Sequence, residues 1–137
     1  MRVSIKVVLA AVILSSPLAF ARTSMAATAS RAVQAEFDGF IAKFRAALNA
    51  DDSAAVTSMT RLPFEYRTSY PDAAAFRAKA YPVIFRAKVR TCIGREKAVY
   101  DRDGENNDSF FIFCGQEIFI FTKTASGFLF KEIGTND

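Results

Sequence analysis

Apolar positions recur at spacings of three and four over residues 31–49, where Val33, Phe37, Phe40, Ile41, Phe44 and Leu48 form one stripe. Glu36, Asp38, Lys43 and Arg45 fall off that stripe, so the pattern predicts an amphipathic helix. Asn49–Asp52 breaks it. Asp52 is placed to cap a second, short helix from Ser53 to about Met59, which buries Val56 and Met59 and which Pro63 stops. Phe64–Thr68 alternates, with Phe64 and Tyr66 on one side and Glu65 and Arg67 on the other, and reads as a strand. Tyr70-Pro71-Asp72 reads as a turn into an Asp72-capped helix over 73–80. Pro82 then suits the first turn of a further helix over 82–93, with Ile84, Phe85, Val89 and Ile93 inward and Gly94 at its end. A strand over 96–102 and a polar turn, Asp103–Asn107, follow.

The pattern changes period at Asp108. From there to Gly134, three runs rich in Phe and Ile are separated by Gly115-Gln116 and by Thr124–Gly127, which predicts an antiparallel meander. A two-residue turn at Gly115-Gln116 sets Phe113 against Ile118, Ile112 against Phe119 and Phe110 against Phe121. Pairing Lys123 with Phe128 extends the register across the second turn. One face then carries Phe110, Ile112, Cys114, Phe119, Phe121, Phe128 and Phe130 and is the expected core. The other carries Phe111, Phe113, Ile118, Ile120, Leu129, Lys131 and Ile133. Phe111, Phe113, Ile118 and Ile120 are too apolar a set to be left in water, so this face is expected to meet another strand, the tail or another chain.

Residues 1–21 change the picture of the N-terminus. Arg2 and Lys6, an apolar run over Val7–Leu14 too short to span a bilayer, and Ala19-Phe20-Ala21 have the layout of a cleaved export signal. The mature chain is expected to begin at Arg22, with Ser24-Met25-Ala26 as a second site, and residues 22–30 read as a flexible tail ahead of a single domain over 31–137. The expected location is therefore outside the cytoplasm, a bacterial periplasm first, with no membrane attachment after cleavage. Removing the signal lowers the balance from 18 basic against 14 acidic residues to 16 against 14, since only Arg2 and Lys6 are lost. The remaining cations are scattered, which gives no footprint for nucleic acid.

Helices followed by strands argue for an α+β fold, with the N-terminal helices packed on a largely antiparallel C-terminal sheet. This order, with Leu62-Pro63-Phe64, then Phe76, Tyr81, Ile84-Phe85, Val89-Arg90 and Ile93, then the aromatic meander, resembles small exported bacterial proteins of the NTF2-like (cystatin-like) fold. The resemblance covers about residues 33–134. It implies a curved sheet wrapped around a helix as a cone with an internal pocket, and often a dimer through the outer sheet face. That fold hosts isomerases, dehydratases and non-catalytic binders, so it does not choose among them.

The chain has no histidine, which removes Ser-His and Cys-His nucleophiles and His-ligated metal sites. Asp101, Asp103 and Glu105 lack the other ligands of a calcium loop, and no metal or cofactor is expected. Acid–base chemistry would need a desolvated carboxylate beside a tyrosine. Glu65, Tyr66, Tyr81, Tyr100 and Asp101 supply the residue types without a motif, so no catalytic residue is assigned. Tyr66, Tyr81, Tyr100 and Phe85 are the candidate pocket residues. Cys92 and Cys114 form an even pair in an oxidising compartment, with Cys114 on the core face toward the helix that holds Cys92; a disulfide is favoured over free thiols and would stabilise by on the order of 3 kcal/mol. The leading expectation is an exported non-enzymatic binding module, with a small apolar ligand in the cone or a protein partner on the sheet. A small isomerase or hydro-lyase and an inhibitor or immunity-type protein are the alternatives.

Overall fold

The computed structural model describes residues 27–137. The expected export signal and the first part of the tail lie outside the described residues. Helix α1 (Arg31–Asn49) starts where the Ser30 hydroxyl accepts from the Val33 amide at 3.2 Å. It buries Phe37, Ile41, Phe44, Ala47 and Leu48, the stripe read from the sequence. Helix α2 (Ser53–Ser58) is capped by Asp52, which accepts from the Ala55 amide at 3.1 Å.

The expected strand over 64–68 is instead a hairpin of β1 (Phe64–Tyr66) and β2 (Thr68–Tyr70). Arg67 turns the chain back at φ +60°, in the left-handed region. The hairpin brings Tyr70, read as part of a turn, into the core. The helices that follow also divide differently. Capped by Asp72, the chain runs through α3 (Ala73–Ala75), a π-helical turn (Phe76–Ala80) and α4 (Tyr81–Ile84), and α5 (Ala87–Arg95) begins after a break. Pro82 has no N–H to give and its ring crowds the Ala78 carbonyl, so the preceding turn widens and the helix does not stop at Ala80. The break at Phe85 (φ −95°, ψ 55°) ends the single helix expected over 82–93. It drops the Phe85 ring into the core against Phe44, Phe119 and Phe130.

Strands β3 (Val99–Arg102), β4 (Asp108–Cys114), β5 (Glu117–Thr124) and β6 (Gly127–Thr135) form one antiparallel sheet in that order. The two hairpin registers are those expected: Phe113 faces Ile118, Phe110 faces Phe121 and Lys123 faces Phe128. Met59–Arg61 closes part of the free edge of β6 through Arg61 N–H to the Phe130 carbonyl and Phe130 N–H to the Met59 carbonyl, each at 2.8 Å. The chain is thus an α+β protein with its helices on one face of an antiparallel sheet.

Phenylalanine fills the layer between α1 and the sheet. Phe37 stacks on Phe110 at 3.8 Å, and Phe44 meets Phe121 edge-on at 5.1 Å. One departure from the expected register matters. Phe121 faces Phe130 but Ile120 faces Glu132, so Lys131 is an extra residue in β6. Beyond this bulge the faces exchange: Ile133, expected on the outer face, sits opposite Phe119 and packs against the core, and Glu132 takes the outer position.

Candidate functional site

Of the candidate pocket residues, Tyr81 and Phe85 meet in the core, while Tyr100 lines a separate open groove with Phe110 and the start of α1. Phe85 is buried within the core and touches Tyr81, with ring centroids 5.3 Å apart. Tyr81 donates its hydroxyl to Asp51 Oδ1 at 2.7 Å, and Arg90 Nη1 reaches the same oxygen at 3.3 Å. Burial, then the Asp51 hydrogen bond and charge, push the Tyr81 phenol up to about 12. Tyr100 stands on the opposite sheet edge, edge-on to Phe110, and donates to Asp108 Oδ1 at 2.6 Å; that bond raises its pKa. Tyr66 lies half-buried on β1 with the Arg67 guanidinium 5.1 Å above its ring. The Tyr81 and Tyr100 phenols are weaker acids than free tyrosine. Their carboxylate partners also meet cations, Asp51 at Arg90 and Asp108 at Arg102 (3.7 Å).

The outer face has two unlike ends. At one end, Ser109 and Thr122 share a 2.9 Å hydroxyl hydrogen bond and are both buried. Beside them the bulged Lys131 reaches Asp103 Oδ2 at 3.2 Å, which ties β6 to the β3–β4 turn. Burial pushes the Asp103 carboxyl up, but the Asn107 amide and side chain, Lys131 and the Glu105 amide outweigh it and hold it at about 2. At the other end Val99 is 52 % and Phe113 43 % exposed, with Phe111 and Ile118 half-buried beside them. Ile120, the fourth expected interface residue, is only 8 % exposed.

A groove of about 870 Å³ opens elsewhere, between α5 and the β4–β5 hairpin. The Cys92–Cys114 disulfide joins its two walls, with the Cα atoms 6.0 Å apart. Arg86, Lys88 and Arg95 line it together with Glu96 and Glu117. Arg95 Nε lies 3.2 Å from Glu96 Oε1 and Arg86 Nη2 3.6 Å from Glu117 Oε1. Lys88 has no ion-pair partner among the described residues, and Glu117 Oε2 is buried with no donor. Arg45, from α1, fixes the far end of α5 by donating to the Ile93 and Glu96 carbonyls at 2.9 and 2.6 Å, a cation at a helix C-terminus.

The sequence pattern identified the disulfide but neither this groove nor the Asp51–Tyr81–Arg90 cluster. Asp51 lies 30 residues from Tyr81, and no local spacing signals that contact. Groups of His, Cys, Asp or Glu suited to a metal ion do not occur among the described residues, and no described helix is long and apolar enough to cross a membrane. Compared with known proteins, the chain matches no family model, no curated protein and no solved structure.

Proposed function

We propose that this chain is an exported, non-enzymatic binding module of the NTF2-like type, acting through the outer face of its sheet, and that this face takes a second copy of the chain. One observation carries the reading. Phe37, Phe44, Phe110 and Phe121 fill the space on the helix side, where a cone ligand would sit, while Val99 and Phe113 stand in water on the other side.

Charge favours a copy of itself. A two-fold axis parallel to the strands between β4 and β5 lays β3 of one copy over β6 of the other. Exposed Lys97, just before β3, then approaches exposed Glu132, and Gly134, lacking a side chain, leaves room beside Ile118 and Ile120. Four strands about 4.8 Å apart and about seven residues long present on the order of 450 Å² in projection. A standard interface uses about 800 Å² per partner, so a micromolar dimer is expected.

Light scattering and sedimentation of the exported chain, from micromolar to sub-millimolar concentration, test this. A concentration-dependent dimer that Ile118→Lys abolishes, with the melting temperature kept, supports the proposal. A strict monomer throughout, unaltered by Ile118→Lys, overturns it. The same bare face would also serve an inhibitor or immunity-type protein. A monomer that forms a one-to-one complex with a different protein, lost in Ile118→Lys, selects that alternative and excludes the copy.

A further inference from the structure

We infer that the groove between α5 and the β4–β5 hairpin, which meets the sheet face only at Phe113, is a second binding site for an amphipathic carboxylate: an aliphatic chain ending in an acid group. Its volume, about 870 Å³, falls in the range of small-molecule pockets. Ala87, Val89, Cys92, Phe113 and Cys114 give it an apolar part suited to an aliphatic body.

The charges choose the head group. Three cations line the groove against two carboxylates, an excess of one. Each carboxylate already answers an arginine, Glu96 to Arg95 and Glu117 to Arg86, which leaves Lys88 as the unmatched charge. The first turn of α5 adds to the same sign. Its N-cap residue, Arg86, makes no side-chain capping bond, so amides at the positive end of the helix are left uncapped beside Lys88. A neutral ligand would use none of this, and a cationic one would be repelled.

Glu117 holds Arg86 but is itself short of donors, and its charge opposes an anion in the groove. Its ion pair is long at 3.6 Å, and its other oxygen is buried without a donor. A ligand carboxylate at Lys88 and the uncapped first-turn amides leaves Arg86 with Glu117, so no buried carboxylate is stranded on binding. The disulfide holds the two walls together and makes the groove a fixed feature.

Titration calorimetry of the oxidised, exported chain with laurate, below its micelle concentration, and with 1-dodecanol as the neutral match tests the assignment. Expected are one saturable laurate site per chain and binding of dodecanol at least about tenfold weaker. Lys88→Glu combined with Arg95→Glu should weaken laurate about tenfold or more with the melting temperature retained, and Glu117→Gln should strengthen it severalfold. Ile118→Lys, on the opposite sheet face, should leave it unchanged. Equal binding of laurate and dodecanol overturns the proposal, as does no saturable laurate binding or a double variant that binds as tightly as the parent. Loss of binding in Ile118→Lys alone also overturns it, by placing the ligand on the sheet face.

Discussion

The two faces of the sheet are built from the same alternating strands, yet they meet opposite fates. Phe110, Ile112, Phe119 and Phe121 are completely covered, because α1 brings Phe37 and Phe44 down onto them and α5 is tied to β4 through Cys92–Cys114. On the reverse, Ser109, Ile120 and Thr122 are covered near the β3–β4 turn, whereas Val99 and Phe113 are not. Alternation therefore sets which way a side chain points, and the neighbouring elements decide whether it is buried.

The sharpest way to break that comparison is to truncate one phenylalanine on each face. Phe121→Ala removes a ring enclosed by Phe37, Phe40, Phe44 and Phe130 and should cost about 3–5 kcal/mol in urea unfolding. Phe113→Ala removes a ring already 43 % exposed and should cost less than about 1 kcal/mol. Equal costs at low protein concentration would mean that the outer face is covered within a single chain, and the contrast would be lost.

How far each face was legible follows from the range of the interactions involved. The meander register rests on a period of two and a two-residue turn at Gly115 (φ +66°), both local, and it stands in the structure as read. The bulge was not legible. Nothing in Phe130-Lys131-Glu132 announces it; it accompanies an ion pair between Lys131 and Asp103, 28 residues away, and it moves Ile133 to the core. The helical stretch failed for a similar reason. Pro82 and the core position of Phe85 outweighed a local pattern that favoured a helix over 82–93. In the groove, only the cysteine pair could be inferred, since the meeting of Arg86 with Glu117 depends on how α5 packs on the β4–β5 hairpin.

The second break is covalent. The disulfide lies on the covered side, where it secures α5 to β4 and leaves the outer face untouched. Cys92→Ser with Cys114→Ser should lower unfolding stability by about 3 kcal/mol, with the size set by loop closure in the unfolded chain. Parent protein unfolded in reductant should match the double variant. If reductant leaves the parent unfolding curve unchanged, the bridge contributes nothing to stability.

The smallest effect probes the covered end of the outer face. Asp103 is held at about 2, against an ordinary value of 3.8. A lowered folded-state pKa favours folding while the carboxyl is ionised; the contribution is full above about 4 and disappears as pH falls to about 2. The difference corresponds to about 2 kcal/mol. Asp103→Asn should therefore lower stability at neutral pH and flatten the acid limb of the stability curve between about pH 4 and pH 2. Val99→Ala, at the bare end of the same face, should leave that limb as it is. An acid limb equally steep in Asp103→Asn would mean that other carboxylates carry it and that the Lys131–Asp103 tie does not hold the turn. The difference between the two ends of the outer face would then need another cause, such as the Ser109–Thr122 hydrogen bond.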